Sequence, residues 1–201
     1  MTAAGRCSIV VLASGNGSNF QAILDAVASG ALDAHIAALV TDQPAAFAIE
    51  RARTAGIPAL VLARSTGEAR PDYDRRLAAA VAEYAPDVVV LAGWMRILTM
   101  SFLSRFPRQV INLHPALPGE FPGTRAIERA LDAARAGEPA RTGVMVHFVP
   151  DEGVDDGPVI ATVEVPILPG DTLDVLSARV HTAEHRLLID ALRRVVALRT
   201  P

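Results

Sequence analysis

The chain has 201 residues, a length typical of one compact domain. Hydrophobic residues make up 51% of the sequence and charged residues 20%, which favours a sizeable buried core and excludes a disordered chain. The net charge is −3 and every basic residue is arginine, which argues against broad nucleic-acid binding and excludes a Schiff-base lysine or a Walker-type phosphate loop.

The first half of the chain alternates between short apolar runs and amphipathic helical patterns. The run over 8–13 is rich in β-branched residues and is typical of a central parallel strand. Similar runs predict strands over 35–41, 59–62 and 87–91, and helical spacing predicts helices over 19–28, 45–55 and 73–84. This alternation predicts an α/β fold with a doubly wound, mostly parallel sheet.

The second half has a different pattern. Strands are predicted over 110–113, 143–149 and 158–165, a helix over 125–136, and one or two helices over 172–199. The last two strands flank an acidic turn, so an antiparallel contribution to the sheet is expected. Because no linker divides the chain, residues 1–201 are predicted to form a single domain.

A glycine-rich turn follows the first predicted strand and precedes a helix. It reads Gly15-Asn16-Gly17-Ser18-Asn19, and backbone N–H groups at such a helix start can hold an anion. The third glycine of a dinucleotide fingerprint is missing, so a dinucleotide site fits poorly. The alternative is an ordinary strand-to-helix turn with an asparagine cap.

Two polar residues end the strand over 110–113. Asn112 and His114 are two positions apart in an extended segment, so their side chains face the same side. An amide donor beside an imidazole could stabilise an oxyanion on an attacked carbonyl, at the strand end where open α/β sheets bind ligands. The alternative is a hydrogen-bonded polar pair in a turn.

The acidic turn contains four carboxylates, Asp151, Glu152, Asp155 and Asp156. Such a cluster is usually a solvated turn, and its spacing does not match a calcium-binding EF-hand. His147 lies in the preceding apolar strand, where a core histidine bonded to the backbone is the simpler interpretation.

Weaker candidates lie on either side of the strand over 87–91. Leu91 and residues 94–98 would ordinarily be core, yet they follow a strand end and could line a pocket for an aromatic ring. Arg70 lies in a polar loop and could reach an anion or be solvated. The histidines have no spacing that supports a metal site.

Taken together, the segments SGNGSN, LAGWMRIL, NLHPALPGEFPG and DEGVDDGPVI resemble the folate-dependent formyltransferases in order and spacing. The resemblance runs from Ser8 to about Leu188, and the SGNGSN loop is most similar to the glycinamide ribonucleotide branch of that family. It implies a Rossmann-like formyltransferase fold, with a phosphate-binding half over 8–110 and a folate-binding and catalytic half over 111–201. It also implies transfer of the formyl group of 10-formyltetrahydrofolate to the amine of glycinamide ribonucleotide in purine biosynthesis, without a metal.

The resemblance also implies roles for individual residues. Asn112, His114 and Asp155 match the catalytic residues; the first two would stabilise the oxyanion, while Asp155 would orient His114 and assist proton transfer. The substrate side is matched by Gly17, Ser18, Asn19, Arg70 and Glu184, and the wall of the folate pocket by Leu91, Met95, Arg96, Ile97 and Leu98.

The chain departs from the family pattern after His114-Pro115. Gly119 replaces an expected proline, and Glu120 stands where some members carry a basic residue near the phosphate. A carboxylate cannot donate to phosphate, so that contact is in doubt.

Two other functions are weighed. Another folate formyltransferase, or a formyltetrahydrofolate hydrolase, would be expected to carry a further domain. A non-catalytic nucleotide-binding module would leave Asn112, His114 and Asp155 unexplained.

Cellular context is indicated by absences in the sequence. Cys7 is the sole cysteine, so neither an intrachain disulfide nor a cysteine-based zinc cluster can form. No signal peptide and no apolar run long enough to cross a bilayer is apparent. A cytoplasmic monomer or homodimer that binds small molecules, and neither nucleic acid nor membrane, is expected.

Overall fold

A computed structural model describes residues 5–199 of the chain. The strands are β1 (Cys7–Leu12), β2 (Ala34–Thr41), β3 (Ala59–Val61), β4 (Val88–Leu91), β5 (Val110–His114), β6 (Arg141–Phe148) and β7 (Val159–Pro166). The helices are α1 (Ser18–Ala28), α2 (Ala48–Thr54), α3 (Arg70–Ala82), α4 (Met100–Leu103), α5 (Ala126–Arg135) and α6 (Leu173–Ala197).

The strands form one seven-stranded sheet in the order β3-β2-β1-β4-β5-β6-β7. The pairs among the first five strands of that order are parallel, whereas β6 pairs antiparallel with both β5 and β7. The predicted fold class, mostly parallel with an antiparallel C-terminal contribution, is therefore confirmed. The strand order reverses between β1 and β4, and the carboxyl ends of strands at such a reversal form a crevice that binds ligands.

Helices cover both faces of the sheet, which explains the continuous apolar runs. On β1, Ile9 and Val11 belong to one buried cluster, and Val10 and Leu12 to the other. The first cluster packs beneath α1 and α6, and the second beneath α3 and α4. A strand buried on both faces has no polar side to alternate with, so its sequence is apolar throughout.

One helix settles an alternative that the sequence left open, and two others differ from their predictions. The segment after Thr172 is one helix of 25 residues, and the Thr172 hydroxyl caps it by accepting from the Val175 amide. Helix α3 begins at Arg70, which was predicted to lie in a loop; Pro71 is tolerated there because the first helical turn needs no amide hydrogen at that position. Helix α4, with four residues, is too short to produce a periodic pattern and was not predicted.

Residues 5–199 contain no helix that is long and apolar enough to cross a membrane.

Candidate active site

Strand β5 brings Asn112 and His114 to the carboxyl edge of the sheet. The strand lies between β4 and β6, and its antiparallel pairing with β6 sets Asn112 opposite His147. The Asn112 amide nitrogen is 3.2 Å from His147 Nε2. Because His147 Nδ1 lies 2.9 Å from the Phe148 carbonyl, that nitrogen donates to the carbonyl, and Nε2 accepts from Asn112.

Asp155 joins the two residues of β5 through its carboxylate. Its Oδ1 accepts from Asn112 Nδ2 at 2.9 Å, while its Oδ2 accepts from the Gly123 amide at 2.8 Å and lies 3.2 Å from His114 Nδ1. The Asp155 side chain is only 11% exposed. The interpretation of the acidic turn as solvated is therefore wrong for Asp155, although Asp151, Glu152 and Asp156 are exposed.

Both ring nitrogens of His114 face acceptors. Nδ1 faces the Asp155 carboxylate, and Nε2 lies 3.1 Å from the Phe121 carbonyl. A neutral imidazole can donate to only one of them, whereas the imidazolium can donate to both. Burial lowers the pKa of His114 below its ordinary value, and it outweighs Asp155 and the Phe121 carbonyl, which raise it. The ring is thus neutral near pH 7, with an environment that favours its protonated form once negative charge develops nearby.

The Asp155 carboxylate is held in its ionised form. Burial alone would raise its pKa, but the nearby His147 ring, the hydrogen bond from the Gly123 amide and the proximity of His114 leave the pKa below its ordinary value. Its backbone is left-handed, with φ 56°. Among non-glycine residues, Asp is one of the few that tolerate this conformation. Gly157 closes the same turn, since a Cβ there would lie 1.9 Å from the Phe148 carbonyl oxygen.

A cavity of about 530 Å³ opens beside these residues. Asn112, His114, His147 and Asp155 line one side of it. The lining also includes all five residues of the expected folate wall: Leu91, Met95, Arg96, Ile97 and Leu98. An apolar wall facing a few convergent polar groups is the usual form of a site for a small ring-containing ligand.

Arg70 lines the same cavity, but it is already paired. Its guanidinium is 3.1 Å from Glu152 Oε2, and Glu152 Oε1 accepts from the Met100 amide at 3.0 Å. Glu152 therefore ties the acidic turn to the starts of α3 and α4. Both members of the ion pair are 44% exposed, so the pair is weak and open to exchange with a ligand.

The glycine-rich turn lies at the adjoining end of β1, outside the lining of this cavity. Gly17 has φ 73° and precedes α1, and a Cβ there would lie 2.7 Å from Ala48 Cβ. Asn19 Nδ2 donates to Glu184 Oε2 at 3.2 Å, and the same oxygen is 2.8 Å from His181 Nδ1. The structure thus brings together Asn19 and Glu184, which are far apart in the sequence, and Ser18 begins the helix beside them.

Glu120, which had no assigned partner, forms an ion pair with Arg141 at 3.0 Å. Gly119, in the preceding position, has φ 78°, a conformation that proline cannot adopt. The loop therefore takes a different course from one with proline at this position, and Arg141 neutralises the carboxylate.

The sequence did not predict the contacts of Asp42 and Glu152 at this site, and it left a functional role for His147 undecided. Asp42 bonds Arg96 and Glu152 bonds Arg70, and both arginines line the cavity. The sequence predicts neither contact, because the partners are far apart in the chain. His147 was interpreted as a core histidine; it is buried and bonded to the backbone, and it also contacts Asn112. Within residues 5–199, no group of three or more His, Cys, Asp or Glu could hold a metal ion.

Comparison with known proteins finds a matching family, similar sequences and similar structures. The model of the family described as formyl transferase matches residues 7–192. Phosphoribosylglycinamide formyltransferase of Escherichia coli (strain K12) is 44% identical, over 90% of this chain and 82% of its own length. The Dictyostelium discoideum enzyme of the same name is 41% identical, over 92% of this chain and 96% of its own. The crystal structure of glycinamide ribonucleotide transformylase 1 from Symbiobacterium toebii superposes with a TM-score of 0.91 at 38% identity, covering 98% of this chain and 90% of that one.

Proposed function

Because the chain belongs to the formyl transferase family, we propose that it transfers the formyl group of 10-formyltetrahydrofolate to the amine of glycinamide ribonucleotide. The products are formylglycinamide ribonucleotide and tetrahydrofolate, a step of purine biosynthesis. The half over 8–110 binds the ribonucleotide phosphate, and the half over 111–201 carries the catalytic residues. No metal is required, because an amine is already a competent nucleophile.

One observation carries the proposal: the Asp155 carboxylate bonds Asn112 and faces His114 at the edge of a cavity with an apolar wall. Acyl transfer to an amine needs donors for an oxyanion and a group that accepts a proton. A buried amide, imidazole and carboxylate within hydrogen-bonding reach supply these functions. The cavity is large enough for a pterin-like ring between this group and residues 95–98.

The reaction proceeds by attack of the amine nitrogen on the formyl carbon. A C–N bond forms while the formyl oxygen becomes negative, and this charge raises the proton affinity of His114, which takes up a second ring proton from solvent. Asn112 and protonated His114 donate to the oxyanion, and each gives up one contact seen here, to His147 or Asp155 in the first case and to Phe121 in the second. Asp155 accepts the proton of the attacking amine directly or through water. The oxyanion then re-forms the carbonyl as the bond from carbon to the folate nitrogen breaks. Asp155 gives its proton to that leaving nitrogen, and His114 returns its second proton to solvent.

The ribonucleotide binds with its phosphate at the turn containing Gly17, Ser18 and Asn19. The first amides of α1 have no partner inside the helix and point toward a ligand at that position. Glu184 lies on the amine side and reaches Asn19, which places phosphate and amine recognition next to one another. Arg70 exchanges Glu152 for an anionic group of the substrates.

The folate ring lies against Leu91, Met95, Arg96, Ile97 and Leu98, opposite Asp155. Leu91 and Leu98 are buried, whereas Met95 and Ile97 are exposed large apolar side chains. Exposed apolar side chains at a cavity are explained by a ring that covers them.

The activity is tested by mixing the purified chain with 10-formyltetrahydrofolate and glycinamide ribonucleotide, and following tetrahydrofolate release by absorbance. Release is expected only when both substrates are present, with formylated ribonucleotide formed in equal amount. The dephosphorylated acceptor, glycinamide riboside, should react with a higher KM because it lacks the anion for the turn at Gly17. Release without any acceptor would indicate a hydrolase instead, and no release with either acceptor would contradict the proposal.

A further inference from the structure

Asp42 is a buried carboxylate that the mechanism does not use. It follows β2 directly, next to the point where the strand order reverses, and its side chain is 1% exposed. Its Oδ2 accepts from Arg96 Nε at 2.7 Å and from Gln43 Nε2 at 2.9 Å. A carboxylate with so little exposure is costly unless it is paired, so its position calls for an explanation.

Its partner Arg96 belongs to the apolar wall of the cavity. The guanidinium lies over the ring of Tyr73, with Cζ 5.5 Å from the ring centroid, and the Tyr73 hydroxyl donates to the Leu62 carbonyl. Asp42 bonds Nε alone; among residues 5–199 the terminal nitrogens of Arg96 have no hydrogen-bond partner. The arginine is therefore held at its face and at Nε, while its outer edge stays free beside the cavity.

The Asp42 carboxylate is ionised. Burial alone would raise the pKa of Asp42, but its interactions with Ser14, Gln43 and Arg96 lower the pKa below its ordinary value. Asp42 therefore meets the Arg96 guanidinium as an anion, at a nitrogen-to-oxygen distance of 2.7 Å.

We propose that Asp42 is a positioning residue for the folate subsite, because it holds Arg96 in the arrangement that the ligand contacts. The inference rests on the proposed function, since it concerns binding of the same folate. A purely structural ion pair would stabilise the chain but would not select one substrate. A positioning role instead predicts an effect on folate alone.

The chain offers a matched control in Asp171 and Arg179. The Asp171 side chain is 5% exposed and Arg179 27%, against 1% and 29% for Asp42 and Arg96. The control pair is also closely bonded, with Nη1 to Oδ2 2.7 Å and Nη2 to Oδ1 2.9 Å. Asp171 lies just before α6 and Arg179 within it, and neither lines the cavity, so Asp171→Asn reports the general cost of removing such a carboxylate.

The test compares steady-state kinetics of Asp42→Asn and Asp171→Asn well below their melting temperatures. Asp42→Asn should raise the KM for 10-formyltetrahydrofolate about tenfold, the effect of losing one charge-assisted hydrogen bond. Its kcat and its KM for the ribonucleotide should stay within about twofold of wild type. Asp171→Asn should lower the melting temperature and leave both KM values unchanged.

A second variant keeps the test decisive if Asp42→Asn does not fold. Arg96→Gln should raise the same KM, and the double variant should show no further rise, because both changes break one contact. The inference is overturned by an unchanged folate KM in folded Asp42→Asn or in Arg96→Gln, by equal shifts for both substrates, or by additive effects in the double variant. If wild type itself does not transfer formyl groups, the proposed function has failed, which is a separate result.

Discussion

Both carboxylate oxygens of Asp155 are needed as hydrogen-bond acceptors. One oxygen accepts from Asn112 and the other from the Gly123 amide. In Asp155→Asn the new NH₂ group would face a donor in either orientation. The single substitution therefore removes the proton acceptor and also introduces a repulsive contact.

For Asp155→Asn we expect kcat to fall about a hundredfold or more, the usual contribution of a general acid or base, while both KM values change little. The control is a double variant, Asn112→Asp with Asp155→Asn, in which the two side chains are exchanged. This double variant restores a donor-acceptor pair but moves the carboxylate away from His114. It should recover thermal stability without recovering turnover. Wild-type kcat in either variant would rule out Asp155 as the group that assists proton transfer.

Individual site residues could be predicted from the sequence only where they lay together in a motif. Asn112 and His114 share a strand, so their common orientation follows from its repeat. Their link to Asp155, 43 residues further from Asn112, depends on the register of β5 with β6 and on the left-handed turn after it. Neither the strand register nor the left-handed turn can be recognised from the spacing of residues in the sequence. The acidic turn therefore has the sequence pattern of an ordinary solvated turn.

At the scale of elements, the turn between β1 and α1 depends on close packing as well as on backbone conformation. Gly17 and Gly30 bracket α1 and have nearly equal φ values of 73° and 75°. A Cβ on Gly17 would meet Ala48 Cβ at 2.7 Å and its Cα at 3.0 Å, whereas a Cβ on Gly30 would meet nothing within 4 Å. Substitution at Gly30 thus introduces backbone strain alone, whereas substitution at Gly17 introduces backbone strain and a steric clash with Ala48.

We expect Gly30→Ala to cost about 1 kcal/mol of stability through its left-handed backbone alone. Gly17→Ala should cost more and should also raise the KM for the ribonucleotide, because α1 must shift away from α2. Urea unfolding and steady-state kinetics of the two variants measure both effects. Equal loss of stability, or an unchanged ribonucleotide KM in Gly17→Ala, would count against the role of this turn in phosphate binding.

Elements were predictable from the sequence in proportion to their length and burial. The strand β4 (Val88–Leu91) is buried at every position, and α6 has no internal Gly or Pro, so both leave clear patterns. Helix α4 forms because the Asp74 carboxylate accepts from the Thr99 amide at 2.6 Å at its start. That contact crosses from α3, and short-range patterns cannot reveal it.

At the scale of the whole molecule, three histidines with shifted pKa values determine how stability varies near neutral pH. Burial lowers the pKa of His114 and His185 below the ordinary value near 6.5. The hydrogen bond with Glu184 raises the pKa of His181 above it. The shifts have opposite signs, so their effects fall on opposite sides of that pH.

The sign of each histidine's effect on stability depends on whether that histidine binds fewer or more protons in the folded protein than in the unfolded chain. His114 and His185 bind fewer below about pH 6.5, so stability rises with pH there. The His181 contribution is fully present below about pH 6.5 and is lost as pH rises through its raised pKa. Cys7 does not interfere, because burial raises its pKa to about 11 and its unfolded thiol titrates only near pH 9. Stability should therefore peak near pH 6.5.

The variant His181→Gln tests the cause of the fall in stability above about pH 6.5. Its stability should still rise with pH up to about 6.5 but should no longer fall between about pH 6.5 and 8, because the proton bound between His181 and Glu184 is gone. Urea midpoints of wild type and variant at pH 5.5, 6.5 and 8, all about one unit or more below the thiol range, measure the difference. The difference in urea midpoint between wild type and His181→Gln should be largest at the two lower pH values and should become small toward pH 8. A gap that is constant with pH would mean that His181 contributes by packing alone, and that Glu184 approaches Asn19 without a charged partner.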